Sequence, residues 1–154
     1  MNNYSFIGAS VMLIGSICTS ANAITATEQL AAYTAQAGAP AQAARGQTLF
    51  TSKHGKEWSC SSCHTATPTV EGKHATTGKA IAPMAPAFNP ERFADAAKAE
   101  KWFRRNCNDV MGRECTAGEK ADVLAWLCTL ANINGVDLEK AIEKYTIRGV
   151  DGTK

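Results

Sequence analysis

The feature that most constrains this chain is the pentapeptide Cys60-Ser61-Ser62-Cys63-His64. Two cysteines at this spacing, followed directly by a histidine, form the attachment pattern of covalent c-type haem, in which each thiol forms a thioether and the imidazole ligates the iron. A zinc site would need about four ligands, and no second Cys-x-x-Cys or His-x-x-x-His follows. A thioredoxin-like redox dithiol would need alternating strands and helices around it, which the sequence lacks. The pattern therefore predicts one covalently bound haem c held by Cys60, Cys63 and His64.

Residues 1–23 have the features of an export signal. The apolar run from Phe6 to Ile17 is too short to span a bilayer, and the sequence Ala-Asn-Ala at 21–23 has the small-x-small pattern of a cleavage site. Export agrees with the haem motif, because haem c is attached outside the cytoplasm. We therefore expect a periplasmic protein whose mature domain begins at Ile24.

Charge and length narrow the possible partners. The chain carries 16 basic and 14 acidic side chains, a formal net charge of +2, so it has no strong basic field that would suggest nucleic acid. No apolar run after the signal is long enough to cross a membrane. What remains fits one small domain, to which a haem would add a large apolar surface. Proteins and small molecules are the expected partners.

The rest of the pattern is helical, with no convincing run of strands. Two capping boxes, a candidate N-cap and a Gly- and Pro-rich stretch define the elements. They are a helix from Thr25 to near Gly38, a helix from about Ala41 to Thr51, an irregular loop from Thr65 to Asn89, a helix from Asp95 through Cys107 and a helix from Thr116 to about Ala131.

The first and last parts of this pattern resemble class I cytochrome c. Gly46 and Phe50 lie one turn apart, and an apolar stripe at helical spacing follows near the end: Val123, Leu124, Trp126, Leu127, Leu130 and Ala131. Members of that family cross an N-terminal and a C-terminal helix at a small residue and an aromatic. The resemblance implies an all-α class I cytochrome c fold over 24–131, with helices packed around one haem. Residues 132–154 are expected to add a C-terminal helical extension.

The sixth iron ligand would decide the function, and several side chains are candidates. A class I electron carrier usually uses methionine. Met84 lies in a proline-flanked segment but follows His64 closely, whereas Met111 is better spaced. His54 or His74 would instead give a bis-histidine haem, although lone histidines in polar loops are more often surface residues.

A closer resemblance suggests a different ligand. The segment from Lys101 to Cys115, KWFRRNCNDVMGREC, together with GEKAD at 118–122 and TGKAIAP at 77–83, resembles the sphaeroides haem protein (SHP) family. This family comprises high-spin or easily opened class I cytochromes c, and it is also grouped as a domain family of unknown function. The resemblance implies that Asn106 is the distal ligand.

Helical geometry also singles out Asn106. On a helix from Ala96, the side chains of Ala99, Trp102 and Phe103 share a face with Asn106 at its centre. An amide buried on such a face costs about 1–3 kcal/mol if it is left unpaired, so a partner is expected. A helix cap or a core hydrogen bond is the alternative to iron ligation. Trp102 and Phe103 would make much of the distal pocket apolar.

The SHP resemblance also implies a disulfide between Cys107 and Cys115. In an oxidising compartment such a bond would contribute about 2–3 kcal/mol through loop entropy and would hold the end of the ligand helix. A redox-switching disulfide is the alternative. Cys128 remains, and we expect it to be a partly covered structural thiol.

Three functions follow from these features. The first is electron transfer at a His/Asn-ligated haem that releases Asn106 on reduction and then binds dioxygen, nitric oxide or carbon monoxide. The resemblance implies a dihaem cytochrome c and a membrane cytochrome b as redox partners. The second is a conventional Met-ligated electron carrier. The third is an enzyme such as a nitric oxide dioxygenase or peroxidase, but no distal histidine and arginine pair is evident, and only Arg104 or Arg105 favours it.

Overall fold

The computed structural model describes residues 23–55 and 57–130. The predicted signal peptide up to Asn22 and the predicted extension 132–154 lie outside the described residues. Helices dominate the described part, in agreement with the expected all-α class. The elements are α1 (Ala26–Ala37), α2 (Ala43–Thr51), α3 (Ser61–His64), β1 (Gly72–Lys73), β2 (Ala80–Ile81), a 3-10 turn (Pro90–Phe93), α4 (Ala96–Met111) and α5 (Ala117–Thr129).

Both predicted capping boxes are formed. At the start of α1, Thr25 Oγ1 accepts the Glu28 N–H at 3.1 Å, and a Glu28 carboxylate oxygen accepts the Thr25 N–H at 2.7 Å. Thr116 and Glu119 make the same reciprocal pair at the start of α5. Gly38 ends α1 with a φ of 66°, a left-handed conformation that glycine adopts without a Cβ penalty. Each such N-cap contributes about 1 kcal/mol to helix stability.

The crossing of α2 and α5 forms the centre of the core. Gly46 is buried against α5 so closely that a Cβ at this position would collide with the backbone carbonyl of Asp122. One turn later Phe50, which is 1% exposed, packs its ring 5.0 Å from the ring of Trp126. The predicted crossing at a glycine and an aromatic is therefore confirmed.

Helix α2 receives its N-terminal cap from α5 rather than from its own sequence. Gln42 makes no side-chain cap, and its N–H donates instead to the Asp122 carboxylate at 2.6 Å, across 80 positions of sequence. Arg45 donates to the same carboxylate at 2.5 and 2.8 Å. The helix begins at Ala43, slightly later than predicted, directly after the residue whose N–H this carboxylate accepts.

The segment after the haem motif is irregular, as predicted, except for a short antiparallel hairpin. Strands β1 and β2 pair Gly72 with Ile81, and the His74 N–H donates to the Lys79 carbonyl at 2.8 Å within the connecting turn. Each strand has only two residues, which is too short to produce a period-2 sequence signal.

Helix α4 begins as predicted, with Asp95 accepting the Lys98 N–H at 2.9 Å. It ends at Met111, beyond the predicted end at Cys107, because Gly112 supplies the left-handed C-cap with a φ of 74°. Within residues 23–55 and 57–130, no helix has the length and apolar character needed to cross a membrane.

The close approach at Gly46 predicts a large effect of a single methyl group. Gly46→Ala should lower the free energy of unfolding by about 1–3 kcal/mol, because α2 must move away from the Asp122 carbonyl and loosen the Phe50 contact. Denaturant unfolding of the holoprotein measures this change.

Gly118→Ala is the matched control. A Cβ there meets nothing closer than 3.9 Å, so the substitution should be neutral or stabilising by up to about 1 kcal/mol. Equal destabilisation by both substitutions would contradict the close-packing account.

Candidate functional site

Helix α3 is a single turn that holds the donor residues of the Cys-x-x-Cys-His motif together. The His64 N–H donates to the Cys60 carbonyl at 3.1 Å, which closes the turn. Ser59, 6% exposed, stabilises its start: the Ser59 N–H donates to Ser62 Oγ at 3.0 Å. The local sequence therefore fixes Cys60, Cys63 and His64 relative to one another before any cofactor is considered.

The two thiols are not poised for redox chemistry. Neither Cys60 nor Cys63 is disulfide-bonded, and Cys63 Sγ accepts the Ala75 N–H at 3.3 Å. Burial raises the pKa of Cys60 to about 11, so this thiol stays protonated at neutral pH. A thioredoxin-like dithiol needs a lowered pKa at its attacking cysteine. The environment disfavours that function and leaves both sulfurs free for thioether bonds.

His64 is held as a neutral imidazole against the core. Its ring lies 6.2 Å from the Phe50 ring, centroid to centroid, at the end of the α2–α5 crossing. Burial lowers the pKa of His64 to about 4, helped by the positive charge of Arg92 and by His74. Neutral imidazole is the form that binds a metal ion.

The backbone beside His64 is tightly constrained. Thr65 has a φ of 67°, which is rare for a β-branched residue and costs about 1–3 kcal/mol. Gly72 of β1 packs on the motif so closely that a Cβ would collide with the Cys63 carbonyl. Helix α3 is thus enclosed by the hairpin on one side and by the α2–α5 core on the other.

The donor set fits a haem c and does not fit a bare metal ion. Within the described ranges, no group of three or more His, Cys, Asp or Glu side chains could hold a metal. A haem supplies four nitrogen donors of its own, so the chain needs to add only axial ligands, sulfurs for attachment and apolar walls. Cys60, Met84 and Phe103 are partly buried side chains that pack against one core cluster.

The segment around Met84 is held by its backbone. The N–H groups of Met84 and Ala85 both donate to the Pro68 carbonyl at 3.0 Å. Asn89 Nδ2 donates to the Pro83 carbonyl at 2.9 Å. Met84 itself packs against the core cluster, so its thioether lies in a fixed and partly buried position.

The predicted face of α4 divides into a packed part and an exposed part. Ala99 is buried, and Phe103 packs edge-on against Tyr33 with ring centroids 5.7 Å apart. Trp102, by contrast, is 41% exposed, with the Arg105 guanidinium 5.6 Å from its ring centroid. Only the Phe103 side of this face therefore joins the core.

Asn106 lies half-buried on α4, between these two parts of the face. Among the described residues, no hydrogen bond of the protein engages its carboxamide. Asn108, two positions later, donates instead to the Arg104 carbonyl at 2.8 Å. The Asn106 side chain is therefore neither a helix cap nor tied to the backbone of the core.

Three other candidate ligands are engaged elsewhere. Met111 Sδ lies 3.6 Å from Cys115 Sγ, a sulfur that belongs to a disulfide. His54 Nε2 is hydrogen-bonded to the Leu49 carbonyl at 2.6 Å. His74 Nδ1 accepts the N–H groups of its own turn at 3.2 and 3.3 Å. Met84 and Asn106 remain.

The disulfide between Cys107 and Cys115 is confirmed, with Cα atoms 5.6 Å apart. It joins the end of α4 to the segment before α5. Arg113 in the closed loop pairs with Glu119 at 2.6 Å, and this contact lowers the pKa of Glu119 to about 2. Cys128 is half-buried against the core, and burial raises the pKa of its thiol, as expected of a structural cysteine.

Sequence reasoning missed the residues that secure the loop beside His64. Arg92 donates to the Ala82 carbonyl at 2.6 Å and to the Pro83 carbonyl at 3.3 Å. No local motif marks such a contact. The one available signal was Pro90, which is typical of the first position of a helical turn and places Arg92 next to the buried Phe93.

Comparison with known proteins agrees with this architecture. Residues 36–127 match the model of a domain of unknown function, DUF1924. The chain is 56% identical over 102 residues to cytochrome c-type protein SHP of Cereibacter sphaeroides, covering 64% of this chain and 78% of the relative. It is 46% identical over 80 residues to cytochrome c'' of Methylophilus methylotrophus, covering 52% of this chain and 56% of that protein.

Solved structures of the same two cytochromes are also similar to this chain. Oxidised SHP, described as an oxygen-binding cytochrome c, superposes with a TM-score of 0.62 at 51% identity and covers 68% of this chain and 96% of its own. Oxidised cytochrome c'' from Methylophilus methylotrophus superposes with a TM-score of 0.61 at 38% identity, covering 68% and 93%. The class I cytochrome c fold is therefore established, and the chain belongs to the SHP family of c-type cytochromes, with one covalently bound haem c as its cofactor.

Proposed function

We propose that this protein is an exported electron-transfer cytochrome that binds small diatomic gases at an asparagine-gated iron. Cys60 and Cys63 attach the haem, His64 is the proximal ligand, and Asn106 is the distal ligand in the oxidised state. One observation carries the proposal: the half-buried Asn106 carboxamide has no hydrogen-bond partner among the described residues, while Met111, His54 and His74 are engaged elsewhere.

The residues on the proposed proximal side hold the haem in one fixed position. His64 is packed beside Phe50, and its low pKa keeps the imidazole neutral and able to ligate at any physiological pH. Thioethers at Cys60 and Cys63 fix the cofactor to the same helical turn. Nothing on this side needs to move during a redox cycle.

On the proposed distal side, Asn106 can be replaced by a diatomic ligand. When bound, the haem supplies an iron that alternates between ferric and ferrous states and, in the ferrous state, binds small diatomic molecules. The Asn106 carboxamide oxygen is a neutral, hard and weak donor, so it would suit ferric iron and would be released on reduction. Phe103 keeps water from one side of this position, and the released amide can donate a hydrogen bond to a diatomic ligand. SHP, the relative with 51% identity in its solved structure, is described as oxygen-binding, which supports this behaviour.

Met84 supports a second candidate, a conventional electron carrier. Its side chain packs against the same core cluster as Cys60, and its backbone is held by Pro68. An enzymatic function has less support, because Arg104 and Arg105 are exposed and Arg105 is stacked on Trp102.

Export and redox partners complete the proposal. A disulfide at Cys107 and Cys115 suits an oxidising compartment, and residues 1–23 carry the features of a cleavable signal. We propose a periplasmic location, a cytochrome domain over 24–131, a helical extension over 132–154, and a dihaem cytochrome c and a membrane cytochrome b as redox partners.

The anchor is tested by replacing both thiols. In Cys60→Ala plus Cys63→Ala, covalent attachment should be lost, so acid-acetone extraction should remove all pigment from the mutant and none from the wild type. Cys128→Ala, which changes a thiol outside the motif, should keep its pigment. Extraction of the pigment from the wild type would disprove thioether attachment.

The gate is tested at Asn106. Asn106→Ala should convert the ferric haem to a high-spin, open or water-ligated form, because its distal donor is gone. Carbon monoxide affinity of the ferrous protein should change little, since reduction already releases the amide and bound carbon monoxide is a weak hydrogen-bond acceptor. Optical and resonance Raman spectra of both redox states measure these changes.

Three controls accompany this variant. Asn108→Ala removes a carboxamide that is bonded to the Arg104 carbonyl, and Met84→Leu and Met111→Leu remove the candidate thioethers. All three should keep the wild-type ferric spectrum. If Met84→Leu, and not Asn106→Ala, converts the ferric haem to high spin, then Met84 is the ligand and the protein is a conventional electron carrier.

Removal of the Cys107–Cys115 disulfide tests whether this bond holds Asn106 in position. Cys107→Ser plus Cys115→Ser should lower the free energy of unfolding by about 2–3 kcal/mol. It should also raise the ferric high-spin fraction, because the residue after Asn106 is no longer tied down. A stability loss without any change in spin state would show that the bond acts on the fold alone.

A further inference from the structure

Arg92 is a half-buried cation whose partners in the described part of the chain are all neutral. It lies in the 3-10 turn beside Phe93, which is 3% exposed. Its Nη2 donates to the Ala82 carbonyl at 2.6 Å and its Nε donates to the Pro83 carbonyl at 3.3 Å. These bonds use two of the five guanidinium N–H groups and supply no negative charge.

The charge of Arg92 lacks a counterion within the described residues. The three ion pairs found there involve Arg45, Arg113 and Lys120. Burial lowers the pKa of Arg92, which means that the surroundings disfavour its charged form. A buried charge is normally paired, because taking it out of water without compensation is costly.

The position of this cation relates it to the cofactor. Phe93, the residue that follows it, has its ring 6.5 Å from the ring of Phe103 on α4, centroid to centroid. The two carbonyls that it binds immediately precede Met84, which packs against the same core cluster as Cys60. Arg92 therefore lies beside the Met84 loop and next to the residue that packs on Phe103, on the helix that carries the proposed distal ligand.

From this geometry we infer that Arg92 binds a carboxylate of the haem. The free part of its guanidinium pairs with one propionate, while the remaining donors hold the Ala82 and Pro83 carbonyls. One side chain thus joins the Met84 loop to the cofactor and compensates a buried charge. The inference rests on the proposed attachment of the haem at Cys60, Cys63 and His64.

The test uses the full-length holoprotein carrying haem with ¹³C-labelled propionate carboxyl groups. Infrared spectra recorded during a pH titration follow these two carboxylates alone, free of interference from His64, His74 or Glu91. In the wild type, one carboxylate should stay ionised to a lower pH than the other. In Arg92→Gln it should protonate about 1–3 pH units higher, as expected on loss of an adjacent cation.

Two further variants separate pairing from loop support. Arg92→Lys keeps the charge and should give an intermediate titration, whereas Arg104→Gln removes an exposed arginine and should leave both carboxylates unchanged. If the Arg92→Gln protein does not fold or accumulate, the titration of the two carboxylates in the wild type still tests the inference. Two carboxylates that protonate together at the ordinary pH of a solvated propionate would overturn the inference.

Errors in the proposed function would be detected by other measurements than the carboxylate titration. Pigment that acid-acetone extracts from the wild type would refute the attachment. A methionine-type spectrum would refute only the distal ligand, and the carboxylate titration would remain interpretable in that case.

Discussion

The structure depends on the contact between Gly46 of α2 and the backbone of Asp122 in α5. Because glycine has no Cβ, the two helices approach until backbone meets backbone, and this brings Phe50 onto Trp126 and onto the His64 ring. The Asp122 carboxylate then caps α2 from the same position on α5. One short interhelical distance thus fixes the start of α2, the aromatic core and the position of the His64 ring together.

Helix α4 is attached to this core in a different way. Lys120 of α5 and Glu100 of α4 form an ion pair of 2.7 Å beside Tyr33, and the disulfide at Cys107 closes the other end of the same segment. Asn106 lies between these two ties, where its backbone is restrained but its side chain is not. The arrangement allows a side chain to change partners while its helix remains in place.

Short-range patterns in the sequence were reliable guides to this fold. The Cys60–His64 motif and both capping boxes depend on residues within about one helical turn, so their structural meaning is local. The role of Gly46 and Phe50 at a helix crossing followed instead from the resemblance to class I cytochrome c. The contacts of Asp122 with Gln42 and of Arg92 with Ala82 join distant segments or irregular backbone, and no local pattern encodes them. Trp102 illustrates the same limit. Helical spacing places it on the face of Phe103, but only the packing of α1 and the 3-10 turn decides which of the two is buried.

Under the proposed ligation, a comparison of Asn106 with Met84 shows which side chain would leave the iron at the lower cost. Met84 is packed against the core, so withdrawal of its thioether would leave unfilled space, and cavities of that kind cost a few kcal/mol in buried positions. Asn106 is half-buried with no protein hydrogen bond to break among the described residues, and its amide regains water when it turns outward. The cost of opening the distal side is then set mainly by the bond to iron. In the proposed function that bond would be weaker for ferrous than for ferric iron, so the redox state would control access to the site.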